Sequence, residues 1–220
     1  MCGRFASYTP PAAIARLVKA VNPVLNVAPS WNIAPSQQAM TVRRHPKTGE
    51  RHLDLLTWGF IPHWAKDPKA EHKPINARAE TVATSPMFRA AFAHNRCLVP
   101  ADAYYEWQTA PDGKHPFAFA RQDQTPMMFA GIWDILQGEG GALRTFAILT
   151  TAANNTARPI HDRMPVIVEA GDWPVWLGEE DGDATGLLHT ADDDILRAWP
   201  VSRRVNNPAN NEPSLLNAAT

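Results

Sequence analysis

Two cysteines in 220 residues, Cys2 and Cys97, are too few for a disulfide framework and match no zinc-ligand spacing. The histidines form neither a His-Glu-x-x-His run nor another paired ligand spacing, so no metal is expected. A glycine-rich phosphate loop is missing too, and no cofactor is expected. Residues 1–20 hold no apolar stretch of signal-peptide length, and no later run approaches the ~18 residues that cross a bilayer. The expectation is therefore cytoplasmic, with no membrane contact. Net charge is nearly absent: 21 basic and 22 acidic residues leave −1, which argues against bulk binding to nucleic acid. The distribution is uneven, however. From Gly171 to Asp194 the chain has eight acidic residues and no Lys or Arg, so the remainder carries +7.

What is present is a globular composition, 45% hydrophobic and 20% charged, of a length suited to one domain over 1–220, with a monomer as the plain default. Thr9-Pro10 reads as a helix start, Ile14, Leu17, Val18 and Val21 as its apolar face, and Asn22-Pro23 as its stop. Asn26-Val27-Ala28-Pro29-Ser30 is echoed by Asn32-Ile33-Ala34-Pro35-Ser36, which predicts an extended, proline-stiffened loop. Strands are expected at 39–45 and 51–58 around Lys47-Thr48-Gly49. After an aromatic segment from Trp58 to Trp64 and a loop at 74–81, Ser85-Pro86 opens a short helix. Further strands are expected at 96–100, 103–108, 116–121, 127–134, 143–151 and 166–168, with a hairpin turn at Pro111-Asp112-Gly113. Short helices near 171–177 and 192–198 and a last strand at 201–205 complete the pattern. Hairpin spacing predominates, so the fold class is α+β with a curved, mostly antiparallel, barrel-like sheet.

Several residues carry chemistry. Met1 ahead of a small second residue is open to aminopeptidase removal, which leaves Cys2 with an α-amine and a thiol on one two-carbon unit. Near neutrality both are partly in their nucleophilic forms. Such a pair condenses with an aldehyde to an imine and closes to a thiazolidine without a metal. Glu106, between Tyr105 and Trp107, alternates onto the face opposite both; it is either a desolvated acid/base or a solvent-facing strand residue. Histidine is the side chain best placed for proton transfer near neutral pH, but His161 is one of eight. Asn76 is either a ligand to a substrate oxygen or a turn residue. Arg4, Arg78 and Arg163, together with Trp58, Phe60 and Trp64, supply the cations and aromatic faces that single-stranded nucleic acid binding asks for.

The order Met1-Cys2-Gly3-Arg4-Phe5, the Asn32-to-Pro35 turn, Trp58-Gly59-Phe60-Ile61-Pro62, Ile75-to-Thr81, Tyr105-Glu106-Trp107, Thr150-Thr151-Ala152, Ile160-His161-Asp162-Arg163-Met164-Pro165 and the closing Val201-Ser202…Val205-Asn206-Asn207 resembles the SOS response-associated peptidase (SRAP) family of abasic-site processing proteins. The resemblance covers nearly the whole chain. It implies a mixed α+β, barrel-like fold and a sensor that joins itself covalently to abasic sites in single-stranded DNA. It carries over Cys2 as nucleophile, Asn76 as the residue positioning its amine and the sugar, and Glu106 and His161 as the acid/base pair. Arg78 and Arg163 fall on phosphate contacts, Arg4 and Thr150 near the reacting sugar, and Pro35 and Trp64 within the DNA-binding set. Ala65 departs from a second aromatic after Trp64, and the acidic 171–194 stretch matches no motif. Two rivals remain: a cysteine peptidase using Cys2, His161 and Asn76, and a non-catalytic single-stranded DNA binder.

Overall fold

Two strands of twelve residues, β9 (Met127–Gly138) and β10 (Gly141–Ala152), set the frame of the molecule. The structure is a computed structural model that describes residues 2–65, 73–138 and 141–219. The other strands are β1 (Phe5–Ser7), β2 (Ser30–Ile33), β3 (Gln38–Arg44), β4 (Arg51–Trp58), β5 (Asn76–Arg78), β6 (Arg96–Ala101), β7 (Ala103–Ala110), β8 (Gly113–Arg121), β11 (Arg163–Pro165) and β12 (Leu196–Pro200). Helices α1 (Pro11–Val18), α2 (Arg89–His94) and α3 (Trp173–Leu177) are short. The fold class is α+β, as expected.

One sheet runs β12-β8-β7-β1-β2, all antiparallel. In the other, β10, β4, β3, β6 and β9 follow one another, and β9 pairs back onto β10 to close a barrel. Closure of that kind removes exposed edges. It also demands close approach at Gly131, where a Cβ would sit 2.8 Å from the Cys97 Sγ and 3.3 Å from the Ala147 carbonyl.

Strand β10 outruns the barrel, and this extension builds the site. Its Thr145 and Phe146 pair with β4, but Ile148, Leu149 and Thr150 pair in parallel with Asn76, Ala77 and Arg78 of β5. On the other edge β9 stops at Ile148, and β11 takes over, setting Thr150, Thr151 and Ala152 against Pro165, Met164 and Arg163. One strand end therefore gathers three distant segments.

Burial falls into three clusters. One lies between the barrel and the helices, around Val42, Phe60, Leu98, Trp176 and Ile14. A second lies between the sheets, around Cys2, Phe5, Trp58, Tyr104, Phe119 and Phe146. The third lies beneath the C-terminal segment, around Tyr105, Val201, Val205 and Leu215. Burial of such surface at ~25 cal/mol per Å2 drives the folding.

Several expectations need correction. The Asn26–Ser36 repeat is not all loop: residues 30–33 form β2, because Phe5 and Ser7 offer an open edge. The stretch 74–81 likewise contains β5. Residues 166–168 are buried, but the strand is 163–165, which holds the register with β10, and Ile167 makes only one bridge. The expected helix at 192–198 is a single 3-10 turn, Asp193–Ile195, and Leu196 onward pairs with β8. The expected strand at 201–205 is one bridge at Val201 followed by a 3-10 turn, Arg203–Asn206. Helix α1 stops at a left-handed Lys19, so its inner face is Ile14, Ala15 and Val18, while Leu17 and Val21 are exposed.

Candidate active site

Cys2 is fully buried ahead of β1, in the cluster between the two sheets. Burial pushes its thiol well up, and the charge of Glu106 adds to that shift. The sulfur is therefore held as a thiol.

Strand β7 separates two clusters, so alternation decides where Glu106 points. Tyr105 faces the C-terminal side, while Tyr104 and Glu106 lie on the other face, toward Cys2. Glu106 is only 3% exposed, which settles against a solvent-facing glutamate. Burial raises its pKa, and the nearby His161 partly offsets the rise. Glu106 and His161 line one cavity of about 540 Å3 with Trp107, Lys114 and Asn206.

His161 ends a turn beginning at Asn154. The Asn154 side chain accepts the Ala157 N–H and donates to the Ala191 and Asp192 carbonyls. The backbone N–H of His161 donates to Ala157, and Gln108 donates to the Pro159 carbonyl at 2.9 Å. Gln108 lies two residues beyond Glu106, on the same face of β7, so one strand carries the carboxylate and tethers the loop of the imidazole. Asp193 adds two contacts to Asn155, which gives part of the acidic 171–194 stretch a structural job.

The ring itself is oriented. Nδ1 accepts the Arg163 backbone N–H at 3.0 Å, which puts the proton of the neutral imidazole on Nε2. A carboxylate oxygen of Asp162 also lies 3.0 Å from Nδ1, but that side chain is 87% exposed. It becomes a partner only when Nδ1 is protonated.

Asn76 stands at the start of β5 beside Ile148. Its Nδ2 lies 3.4 Å from the Ile148 carbonyl, and its Oδ1 is buried without a hydrogen-bond partner among the described residues. Neighbouring Ile75 and Ile148 both belong to the cluster that contains Cys2. An unsatisfied buried acceptor costs about 1–3 kcal/mol and is ready for a donor.

The expected DNA contacts divide. Arg78, Pro35 and Trp64 are exposed, Trp64 at 56%. Arg163 is held bidentately by Glu80 and donates to the Thr150 carbonyl, and Thr150 is fully buried. Arg4 donates to Asn32 Oδ1 and the Val205 carbonyl, both at 2.8 Å, tying the first strand to the C-terminal segment. Lys114 and Gln108 escaped sequence reasoning, whereas Trp107 and Asn206 stand in motifs that carried the resemblance but had no role assigned. Only the i, i+2 spacing from Glu106 could have pointed to Gln108.

Fold and sequence together are those of one class. The SOS response associated peptidase (SRAP) family model matches residues 1–208, and the chain belongs to that family. The abasic site processing protein YoqW of Bacillus subtilis is 37% identical over 226 residues, spanning 98% of this chain and 99% of that protein. The abasic site processing protein YedK of Escherichia coli is 32% identical over 225 residues, with 98% and 99% covered. A crystal structure of a protein from Bacteroides thetaiotaomicron has the same fold, with a TM-score of 0.89, 22% identity and 100% of both chains covered. Among the described residues no helix is long and apolar enough to cross a membrane, and no group of His, Cys, Asp and Glu is arranged to hold a metal.

Proposed function

We propose that this chain processes abasic sites in single-stranded DNA by linking itself to the exposed sugar through Cys2, once Met1 has been removed. The observation that carries the reading is a fully buried Cys2 under the electrostatic influence of Glu106, which shares a cavity with His161.

The closed hemiacetal of the sugar first opens, with Glu106 and His161 moving the ring proton. The Cys2 amine adds to the C1′ aldehyde, loses water and leaves an imine. From there the chemistry forks. Loss of a C2′ proton expels the 3′ phosphate by β-elimination and breaks the strand. Alternatively the Cys2 thiol adds to the imine carbon, its proton passes to nitrogen, and the thiazolidine protects the strand. A thiol whose pKa is raised waits as S–H until the imine has formed, so the amine reacts first and sulfur closes second. Burial raises the Glu106 pKa, which moves it toward acid/base use. Asn76 Oδ1 accepts from the Cys2 amine or the sugar hydroxyl, and Arg78, Pro35 and Trp64 meet the strand outside.

The same thiol speaks against a cysteine peptidase, which needs a lowered thiol pKa; peptidase activity is confined to loss of Met1. A protein mixed with single-stranded DNA holding one abasic site should give a shifted band that survives boiling on a denaturing gel. A complex seen only under native conditions would leave a mere DNA binder.

A further inference from the structure

A second cavity of about 580 Å3 lies away from Cys2, where the β3–β4 turn meets the ends of α2 and α3. Its cationic side chains are Arg44, Lys47 and Arg96, the imidazoles of His45 and His94 stand beside them, and Trp133 forms part of the wall. No carboxylate lines it among the described residues. Strand β3 leads from Gln38, just past the Pro35 turn, to Arg44, so at about 3.4 Å per residue the two sites are separated by roughly 20 Å along that strand.

Six of the thirteen arginines elsewhere in the protein pair with a carboxylate among the described residues, Arg203 with Asp112 being one. Arg43 pairs with Asp54, Arg51 with Glu179, Arg121 with Asp123 and Glu169, Arg163 with Glu80 and Arg204 with Glu212. Arg44, Lys47 and Arg96 have no carboxylate partner among the described residues. The fold does engage parts of the two guanidiniums. Arg96 donates from Nε and Nη1 to the Trp176, Phe92 and Ala93 carbonyls, and Arg44 donates to Gly49 and Gly178. Helix-end carbonyls account for those bonds except the one to Gly49, which lies in the β3–β4 turn. They leave Nη2 of each arginine without a hydrogen bond among the described residues, and Lys47 and His94 exposed beside them.

Three permanent cations around a concave wall, Arg44, Lys47 and Arg96, with no carboxylate among its described lining residues, repel one another unless an anion enters. Guanidinium groups match phosphate oxygens in geometry as well as charge. The volume exceeds that of a bare phosphate and suits a phosphate with its attached sugar and base. We propose that this cavity is a second, phosphate-binding site of the protein, taking either the backbone of a DNA strand or a small phosphorylated molecule.

The test compares wild type with R44Q/K47Q, titrating each with inorganic phosphate by calorimetry and with an undamaged single-stranded oligonucleotide by anisotropy at several salt concentrations. Wild type should bind phosphate at one saturable site, and the variant should bind it at least tenfold more weakly. Crosslinking of a short abasic oligonucleotide should be the same in both. A salt slope smaller by about 1.4 in the variant, for two phosphates at about 0.7 each, assigns the site to the DNA backbone. An unchanged slope with phosphate binding lost assigns it to a small phosphorylated ligand. K47Q alone, whose exposed side chain makes no hydrogen bond among the described residues, should show the same sign with a smaller loss. Absence of saturable phosphate binding in wild type, or equal binding in all three proteins, overturns the proposal.

Discussion

The two cavities are built on opposite principles. Around Cys2 the groups are few, and neighbours position them. The Arg163 backbone fixes the His161 tautomer, burial raises the Glu106 pKa, and Glu80 neutralises Arg163. In the cavity at Arg44 and Arg96, positive charge accumulates with no carboxylate among the described residues to answer it. Proton transfer needs matched pKa values and fixed geometry, whereas anion capture needs surplus charge. On the proposed reading of both cavities, pairing of charge, rather than its amount, separates the reactive site from the docking one.

The largest break should come from Cys2→Ala. A small second residue keeps Met1 removable, so the amine survives and the sulfur does not. The expected outcome is complete loss of the heat-stable adduct, an imine trapped only by borohydride, and more strand cleavage; a boiling-resistant band without borohydride would count against thiazolidine closure.

Glu106→Gln should slow adduct formation by about 100-fold, the low end for a lost acid/base group. Stability should move in a diagnostic direction. The folded carboxyl binds its proton more tightly than the unfolded one, which titrates near ~4.3. Wild type should therefore lose stability relative to Glu106→Gln as pH rises through the window above that value. Urea melts at stepped pH read this directly, and parallel stability curves would remove the desolvated carboxylate from the account.

Gln108→Ala cuts the tether to Pro159 and should lower the rate by roughly tenfold while costing about 1 kcal/mol of stability. A rate unchanged alongside that stability loss would mean that the His161 loop is held without Gln108. The smallest effect is Glu80→Gln. Its carboxyl pKa is lowered by the Arg163 hydrogen bond, so the pair contributes stability above the ordinary carboxylate range that is lost as pH falls through the lowered value. With Glu80 half exposed, that contribution is at most ~1 kcal/mol. Releasing Arg163 should make this rim more like the cationic cavity, steepening the salt dependence of DNA binding by about 0.7. An unchanged slope would show that Thr150 alone keeps Arg163 from the strand.

Much of this was legible in the chain. The β3–β4 and β7–β8 hairpins follow from alternation and turn residues, and alternation set Glu106 opposite Tyr105. Which face of β7 is buried was not legible, because both are: Tyr104 and Tyr105 belong to different clusters. The three-residue β5 has too short a span for any period and exists only because β10 outruns β4. Residues 166–168 look like a strand because they are apolar, but the ladder fell to 163–165, where β10 still had an open edge. The SRAP resemblance named Cys2, Glu106 and His161; the Asn154 and Gln108 contacts that hold the imidazole loop are tertiary and carry no motif. The acidic stretch was opaque for the same reason, since Asp193 acts on Asn155 and Glu179 on Arg51.

The central claim is that the amine and the sulfur of Cys2 both end on the sugar carbon. After reaction with abasic single-stranded DNA, the adduct should be denatured, treated with iodoacetamide and weighed intact. The account predicts a chain lacking Met1, joined to the oligonucleotide with loss of one water and alkylated once, at Cys97. A second alkylation, or an adduct that still carries Met1, would contradict it.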